Sequence, residues 1–380
     1  MKVFFTVDAL INAGTEKSIL DIVSNFSDNT EVTVIYFYSR HDLKDAYENA
    51  GVRLIFLDLK GKKDFRSGIR KLSALIIKED PDVVVSSILR ANIISRIACR
   101  RTDTTLVGTF VSDSYSSARQ QSFSLKRKVG AQWYYWIDRI TAKIPKLWIA
   151  NSESIRISNA KQLKLDPEKI KVVYRGRDKN KFPSKQNTRS KIFRFIFVGR
   201  LLETKGLLEL IQAFNELASI DTNIHLDIFG DGSFRKQLAD CIAASPVEHK
   251  ITLHGAVNEG WKKMYDADAF VFPSWYEGFS GSLVEAMMVG IPIIASDIPM
   301  NLEAVEAGKT ALVFPVKNVT ALTAAMKEMI ENYEAHLEMA AKARAVAFER
   351  FDIRKIAFQY EDILYELKRN TLTNSIINGA

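Results

Sequence analysis

The sequence predicts an α/β protein of two Rossmann-like domains, each built on a parallel sheet. Three observations carry this expectation. The chain has 380 residues, room for two ordinary domains. Short apolar, β-branched runs alternate with helical stretches, the pattern of a sheet with helices on both faces. The stretch 272–298, FPSWYEGFSGSLVEAMMVGIPIIASDI, condenses that pattern into strand, glycine-bearing loop, helix and second strand.

Taken in order, residues 2–7 are β-branched and aromatic and form the first strand. The small residues at 11–16 then turn the chain into a helix from about 16 to 26, in a loop able to approach a ligand or merely to connect. Strands follow at 32–37, 53–57, 83–86, 105–109, 147–150 and 170–173, with helices such as 67–78 and 92–100 between them. Ligands on such sheets bind at the carboxyl ends of the strands. Asp8, Arg90, Asn92, Ser112 and Asp113 are therefore site candidates, each with an ordinary loop role as the alternative. The polar stretch 179–191 has no periodicity and reads as a linker.

The second half opens with a strand at 193–198, then Gly199-Arg200-Leu201 and Lys205-Gly206 before a helix at 207–218. Arg200 and Lys205 flank a turn, where two cations can neutralise a diphosphate or simply face solvent. Strands at 224–229 and 251–254 precede the turns 230–233 and Gly255-Ala256-Val257. The end of the chain, 351–369, spaces apolar residues at three and four, as a packed helix does, with residues 370–380 frayed.

Composition sets bounds. With 47% hydrophobic and 26% charged residues the chain is that of a soluble globular protein, and no run of 18 apolar residues predicts a membrane span. Two cysteines, Cys99 and Cys241, suggest neither a disulfide framework nor a metal cluster. The net charge of +8 is uneven: residues 1–190 hold 34 Lys and Arg against 20 Asp and Glu. That asymmetry points to an anionic partner for the first half. The segment 119–146 concentrates it, with Trp133, Tyr134, Tyr135 and Trp136 set among seven cations. It suits an anionic membrane surface, or a core helix with a solvated basic face. Without a recognisable nucleic-acid module, nucleic acid is not expected.

Within 272–298, loop amides at the start of a helix form a ready phosphate site beside the positive end of the helix dipole. Glu277 and Glu285 bracket the loop. Eight helical residues would span about 12 Å, whereas a retaining glycosidase pair stands about 5–5.5 Å apart. The two glutamates therefore read as separate contacts on one ligand. For Glu285 a capping box, Ser282-Leu283-Val284-Glu285, is the competing explanation.

Glu277, seven intervening residues and Glu285, inside EGFSGSLVEAM and followed by GIPIIASDIP, resemble the signature of retaining glycosyltransferases of family 4, as does GRLLETKG at 199–206. The resemblance implies the GT-B fold: two Rossmann-like domains facing across a cleft. Residues 1–180 would bind the acceptor and 190–358 the nucleotide-sugar, with a C-terminal helix at about 360–375 packing back on the first domain. It further implies that Glu277 holds the donor's sugar hydroxyls and Glu285 its ribose hydroxyls. Arg200, Lys205 and the amides of Gly278, Phe279, Ser280, Gly281 and Leu283 would hold the diphosphate, with Gly14 and Thr15 reaching the donor from the first loop. Val257 would lie beside the base.

Four departures stand out. Ser280 occupies a frequent glycine position, the first loop has the single glycine Gly14, and Arg175 stands where Asn is usual. The loop after residue 109 lacks the family's histidine, so Asp113 either replaces it or the role is absent. The implied activity moves a hexose-type sugar from a nucleotide-diphosphate donor, UDP by default, to a glycan or lipid-linked acceptor of a cell-surface polysaccharide such as lipopolysaccharide, with retained anomeric configuration. Neither cofactor nor metal is expected, because Arg200, Lys205 and loop amides supply the positive charge. The expected location is cytoplasmic, peripheral on the inner face of the membrane. A GT-B sugar-nucleotide epimerase and a non-catalytic carbohydrate or lipid-head-group binder are the competing functions.

Overall fold

In the computed structural model, which describes residues 1–61, 64–115, 125–186 and 191–379, the chain forms two units: Met1–Gly176 with Ile353–Ala380, and Arg177–Asp352. The segment at 119–124, part of the basic stretch, and residues 187–190 of the linker lie outside the described residues.

The first unit contains strands β1 (Lys2–Val7), β2 (Glu31–Tyr36), β3 (Arg53–Phe56), β4 (Val83–Ser86), β5 (Leu106–Phe110), β6 (Leu147–Ala150) and β7 (Ile170–Val172). Between them run helices α1 (Gly14–Val23), α2 (Lys44–Asn49), α3 (Phe65–Glu79), α4 (Leu89–Thr102), α5 (Leu125–Thr141) and α6 (Glu153–Leu163). The sheet is parallel with order β3-β2-β1-β4-β5-β6-β7. Its strands read as unbroken apolar runs because both faces are covered. Alternate residues of β1 serve opposite layers: Val3, Phe5 and Val7 face one core, and Phe4 faces the other with Leu72 and Ile76 of α3.

The last helix, Ile353–Gly379, completes this first unit through Ile356, Tyr360 and Leu364, which join the Val3, Phe5 and Val7 core. Their spacing of four sets one apolar stripe on the sheet. Glu361 fixes the register by accepting from Ser27 Oγ at 2.7 Å and Thr30 Oγ1 at 2.5 Å. The helix runs on through the positions expected to fray.

The second unit contains β8 (Phe193–Val198), β9 (Ile224–Phe229), β10 (Ile251–Gly255), β11 (Ala269–Phe272), β12 (Ile293–Ser296) and β13 (Leu312–Phe314). Its helices are α7 (Leu207–Ala218), α8 (Arg235–Ala243), α9 (Gly281–Val289), α10 (Pro299–Ala304), α11 (Val319–Glu331) and α12 (Tyr333–Arg350); the helix Ile353–Gly379 is α13. The sheet order is β10-β9-β8-β11-β12-β13, again parallel. Residues 177–186 pack here: the Arg177 amide donates to Phe351 O at 2.8 Å, and Phe182 lies 4.6 Å from the Trp261 ring. Strand order reverses between β1 and β4 in the first unit and between β8 and β11 in the second. Those switch points open the crevices that ligands use.

Candidate active site

At the second unit's switch point, the loops leaving β8 and β11 lie side by side. The first carries Arg200 and Lys205, the second Glu277. Two close backbone approaches bring them together. The Trp275 amide donates to Thr204 O at 2.9 Å. Gly206 sits at φ +67°, where a Cβ would run into the Pro273 carbonyl. The Lys205 ammonium bonds the Glu277 carboxylate, each side chain being 12% exposed, and lies 5.4 Å from the Phe272 ring centre. Arg200, by contrast, is exposed and carries no ion pair among the described residues. One cation is thus committed to a carboxylate and one is open to an incoming anion.

Helix α9 starts at Gly281. Its N-cap is Ser280, whose Oγ accepts from the Leu283 amide at 3.3 Å. Serine at this position therefore caps the helix, and the Ser282–Glu285 capping box does not form. Glu285 instead accepts from Arg177 Nε at 2.7 Å, with side-chain exposures of 18% and 15%. The Arg177 guanidinium also crowds Gly281, where an added Cβ would collide with it. Sequence reasoning did not give Arg177 a role. Its only signal is its place in the Arg-Gly-Arg run at 175–177, and its partner lies 108 residues away. Trp275 was also missed: its ring lies 4.0 Å from the Lys317 ammonium, and Lys317 itself holds φ +65°.

Val257 is 38% exposed in the loop after β10. His254 stacks on Phe229 at 4.1 Å, and its Nε2 donates to Asp227 Oδ1 at 2.6 Å. Among the described residues no group of His, Cys, Asp or Glu is arranged to hold a metal. The sequence has two Asp-x-Asp tripeptides, 80–82 and 266–268, which immediately precede β4 and β11. They therefore lie at the amino ends of those strands, the edge opposite the crevices. Asp82 and Asp268 are occupied there, accepting from the amides of Lys2 at 2.8 Å and Arg194 at 2.7 Å.

In the first unit, Gly14 opens α1 without a side-chain cap, and a Cβ on it would come 2.9 Å from the Arg175 guanidinium. Thr15 follows at the head of the helix. Asp8 accepts from the Ala91 amide at 2.9 Å and pairs with Arg90 at 3.2 Å, so it caps α4. Asn92 is buried between Ser86 Oγ and Thr109 O. Asp113 accepts from Ser158 Oγ at 2.6 Å and Gln162 Nε2 at 2.9 Å, which engages both its oxygens with α6. Ser112 is half-buried beside it.

Residues 13–181 match the family described as Glycosyltransferase Family 4, and residues 178–346 match Glycosyl transferases group 1. The O-antigen biosynthesis glycosyltransferase WclY of Escherichia coli is 24% identical over 388 residues, covering 98% of this chain and 100% of that protein. The UDP-Gal:alpha-D-GlcNAc-diphosphoundecaprenol alpha-1,3-galactosyltransferase of E. coli is 29% identical over 255 residues, 63% of each chain. Among solved structures, Anabaena HepE in complex with UDP is similar at a TM-score of 0.82 and 21% identity, covering 96% of this chain and 100% of that one, a likeness of fold.

Proposed function

We propose, from the premise that the chain belongs to the group 1 glycosyltransferases of family 4 and has their GT-B fold, that it transfers a hexose-type sugar from a UDP-sugar with retention of configuration. The acceptor would be a glycan or lipid-linked saccharide of a surface polysaccharide. One observation carries the reading: at a single switch point, two carboxylates, three cations and a helix N-terminus converge.

The division of labour follows from the pairs. Arg200 meets the diphosphate first, and Lys205 shares itself between Glu277 and the phosphate. Glu277, held in place by Lys205, takes the sugar hydroxyls. Glu285, held by Arg177, takes the ribose. As the glycosidic bond breaks, charge grows on the leaving phosphate, where the cations and the amides of Gly281 and Ser282 stabilise it. That phosphate accepts the proton of the attacking hydroxyl on the same face, so no protein base is needed. This fits the engagement of Asp113 with α6. Fixed cations supply the charge a metal would, so turnover should persist in EDTA.

The surface partner is an anionic membrane. Trp133, Trp136 and Ile140 are spaced three and four along α5 and are 54%, 51% and 73% exposed, with Arg139 5.5 Å from the Trp136 ring. The buried pair Arg96–Asp138 at 2.5 Å holds the opposite side of the helix. Among the described residues no helix is long and apolar enough to cross a membrane.

A thermal-shift screen of UDP-, GDP- and ADP-sugars, followed by NMR of the product anomer, tests the proposal. Stabilisation by UDP-sugars and a product with the donor's anomeric configuration are expected. Release of free sugar epimer, or no response to any nucleotide-sugar, would overturn it.

A further inference from the structure

We infer that the second unit carries, at the end of α9 away from the crevice, a seat for a lipid phosphate: a phosphomonoester head on Arg344 and Lys185, with its aliphatic chain along α12. A cavity of about 320 Å³ lies between the C-terminal end of α9, α12 and residues 184–185. That is the lower end of the roughly 300–1,000 Å³ that small-molecule sites span. The nine residues of α9 separate the cavity, at Gly290, from Gly281 by about 13 Å. The seat is therefore distinct from the donor site proposed above.

One wall is an apolar stripe on α12, formed by Leu337, Ala341, Ala345 and Phe348 at spacings of four, four and three. Ala341 and Ala345 are exposed and Arg344 is half-buried, so the space opens to solvent. The Arg344 guanidinium lies 4.1 Å over the Phe348 ring. Its Nε donates to Met288 O at 3.0 Å and its Nη2 to Phe182 O at 2.7 Å, which also caps the carbonyl end of α9. These two bonds use one edge of the fork. Among the described residues Nη1 has no acceptor, and it is not sealed from solvent. The edge formed by Nη1 and Nη2 stays open to a ligand.

Lys185 lines the same cavity, its Nζ donating to Tyr265 O at 2.6 Å. Among the described residues neither cation is paired with a carboxylate. Burial pushes the Lys185 ammonium's pKa down, against the attraction of Asp268 and Asp266. A charge taken from water without a counter-charge is costly, so the two cations favour an anionic ligand. Two of them match a dianion, and a phosphomonoester carries about −1.5 to −2 at pH 7. Its oxygens suit a bidentate guanidinium and a point-charge ammonium together. Bare phosphate would leave the α12 stripe wet, whereas an aliphatic chain covers it.

The probes are soluble stand-ins, hexyl phosphate, inorganic phosphate and hexan-1-ol, each titrated calorimetrically into the full-length protein. Hexyl phosphate should bind at least about tenfold tighter than either of the others. Ala341→Glu, at an exposed helical position, sets a carboxylate beside the cations and should abolish that binding, with the melting temperature equal to wild type or higher. Lys185→Met should weaken it at least about fivefold. UDP affinity should be the same in both variants as in wild type. Hexan-1-ol binding as tightly as hexyl phosphate would overturn the anionic head, and inorganic phosphate binding as tightly would overturn the chain. Hexyl phosphate that fails to bind wild type, or that binds Ala341→Glu equally well, would overturn the site itself.

Discussion

The Lys205–Glu277 pair allows stability and catalysis to be separated in one experiment. Both side chains are 12% exposed, and Lys205 lies 5.4 Å from the Phe272 ring. Glu277→Ala strands an ammonium in a largely dry position. Breaking a fully buried pair costs about 3–5 kcal/mol. The remaining solvent access trims this to about 2–3 kcal/mol. For a unit of this size, each kcal/mol is worth about 2–4 °C, so its melting transition should fall by about 4–12 °C. Lys205→Met, which strands the carboxylate, should fall comparably. The double variant leaves no unpaired charge and sets an apolar chain on Phe272, so its stability should return to within about 1 kcal/mol of wild type. Turnover should not return. All three variants should lose at least about 100-fold, or about 2.7 kcal/mol of barrier. Calorimetric melts without nucleotide, paired with nucleotide-release assays, read both quantities. A double variant no more stable than the weaker single, or Glu277→Ala turnover within about threefold of wild type, would refute the reasoning.

Three further outcomes are expected. Glu285→Ala should weaken UDP binding about tenfold or more by calorimetry, since the proposed ribose contact and the observed anchor of Arg177 would both be lost. Gly206→Ala should destabilise the protein by about 1–3 kcal/mol in urea melts, because φ is +67° and the new methyl meets the Pro273 carbonyl. Burial pushes the Glu209 carboxyl above its usual range. Its protonated form is therefore the one the fold favours, and its contribution is present below the ordinary pKa and lost as pH rises through the raised one. Glu209→Gln should thus gain melting temperature over wild type as pH climbs from 4 to 7; a constant difference would contradict the sign.

Much of the architecture was legible because parallel strands buried on both faces leave short, dense apolar runs, as in Val83–Ser86 and Ile293–Ser296. Leu312–Phe314 escaped because three residues cannot display a period. The start of α1 was misplaced by about two residues, since Gly14 opens it with no capping side chain to announce it. Within the site, the two glutamates, Arg200 and Lys205 were legible as types, and Arg177 was not. The pairings were not legible either, because Arg177–Glu285 and Lys205–Glu277 join residues 108 and 72 positions apart. Ser280 looked like a mere departure from glycine, and only its backbone angles reveal a cap. Asp113 looked available because its partners, Ser158 and Gln162, belong to a helix three elements later.

The chain leaves its first unit after Gly176 and re-enters it at Ile353. These two residues touch: a Cβ on Gly176 would come 2.7 Å from the Ile353 Cα. On the other side of the cut, Arg177 and Asp352 form a bridge of their own. Each half therefore presents its loose ends as neighbours, the arrangement that tolerates permutation and insertion. Splicing 176 directly to 353 should yield a self-standing first unit, and residues 177–352 become a cassette that can be grafted between relatives.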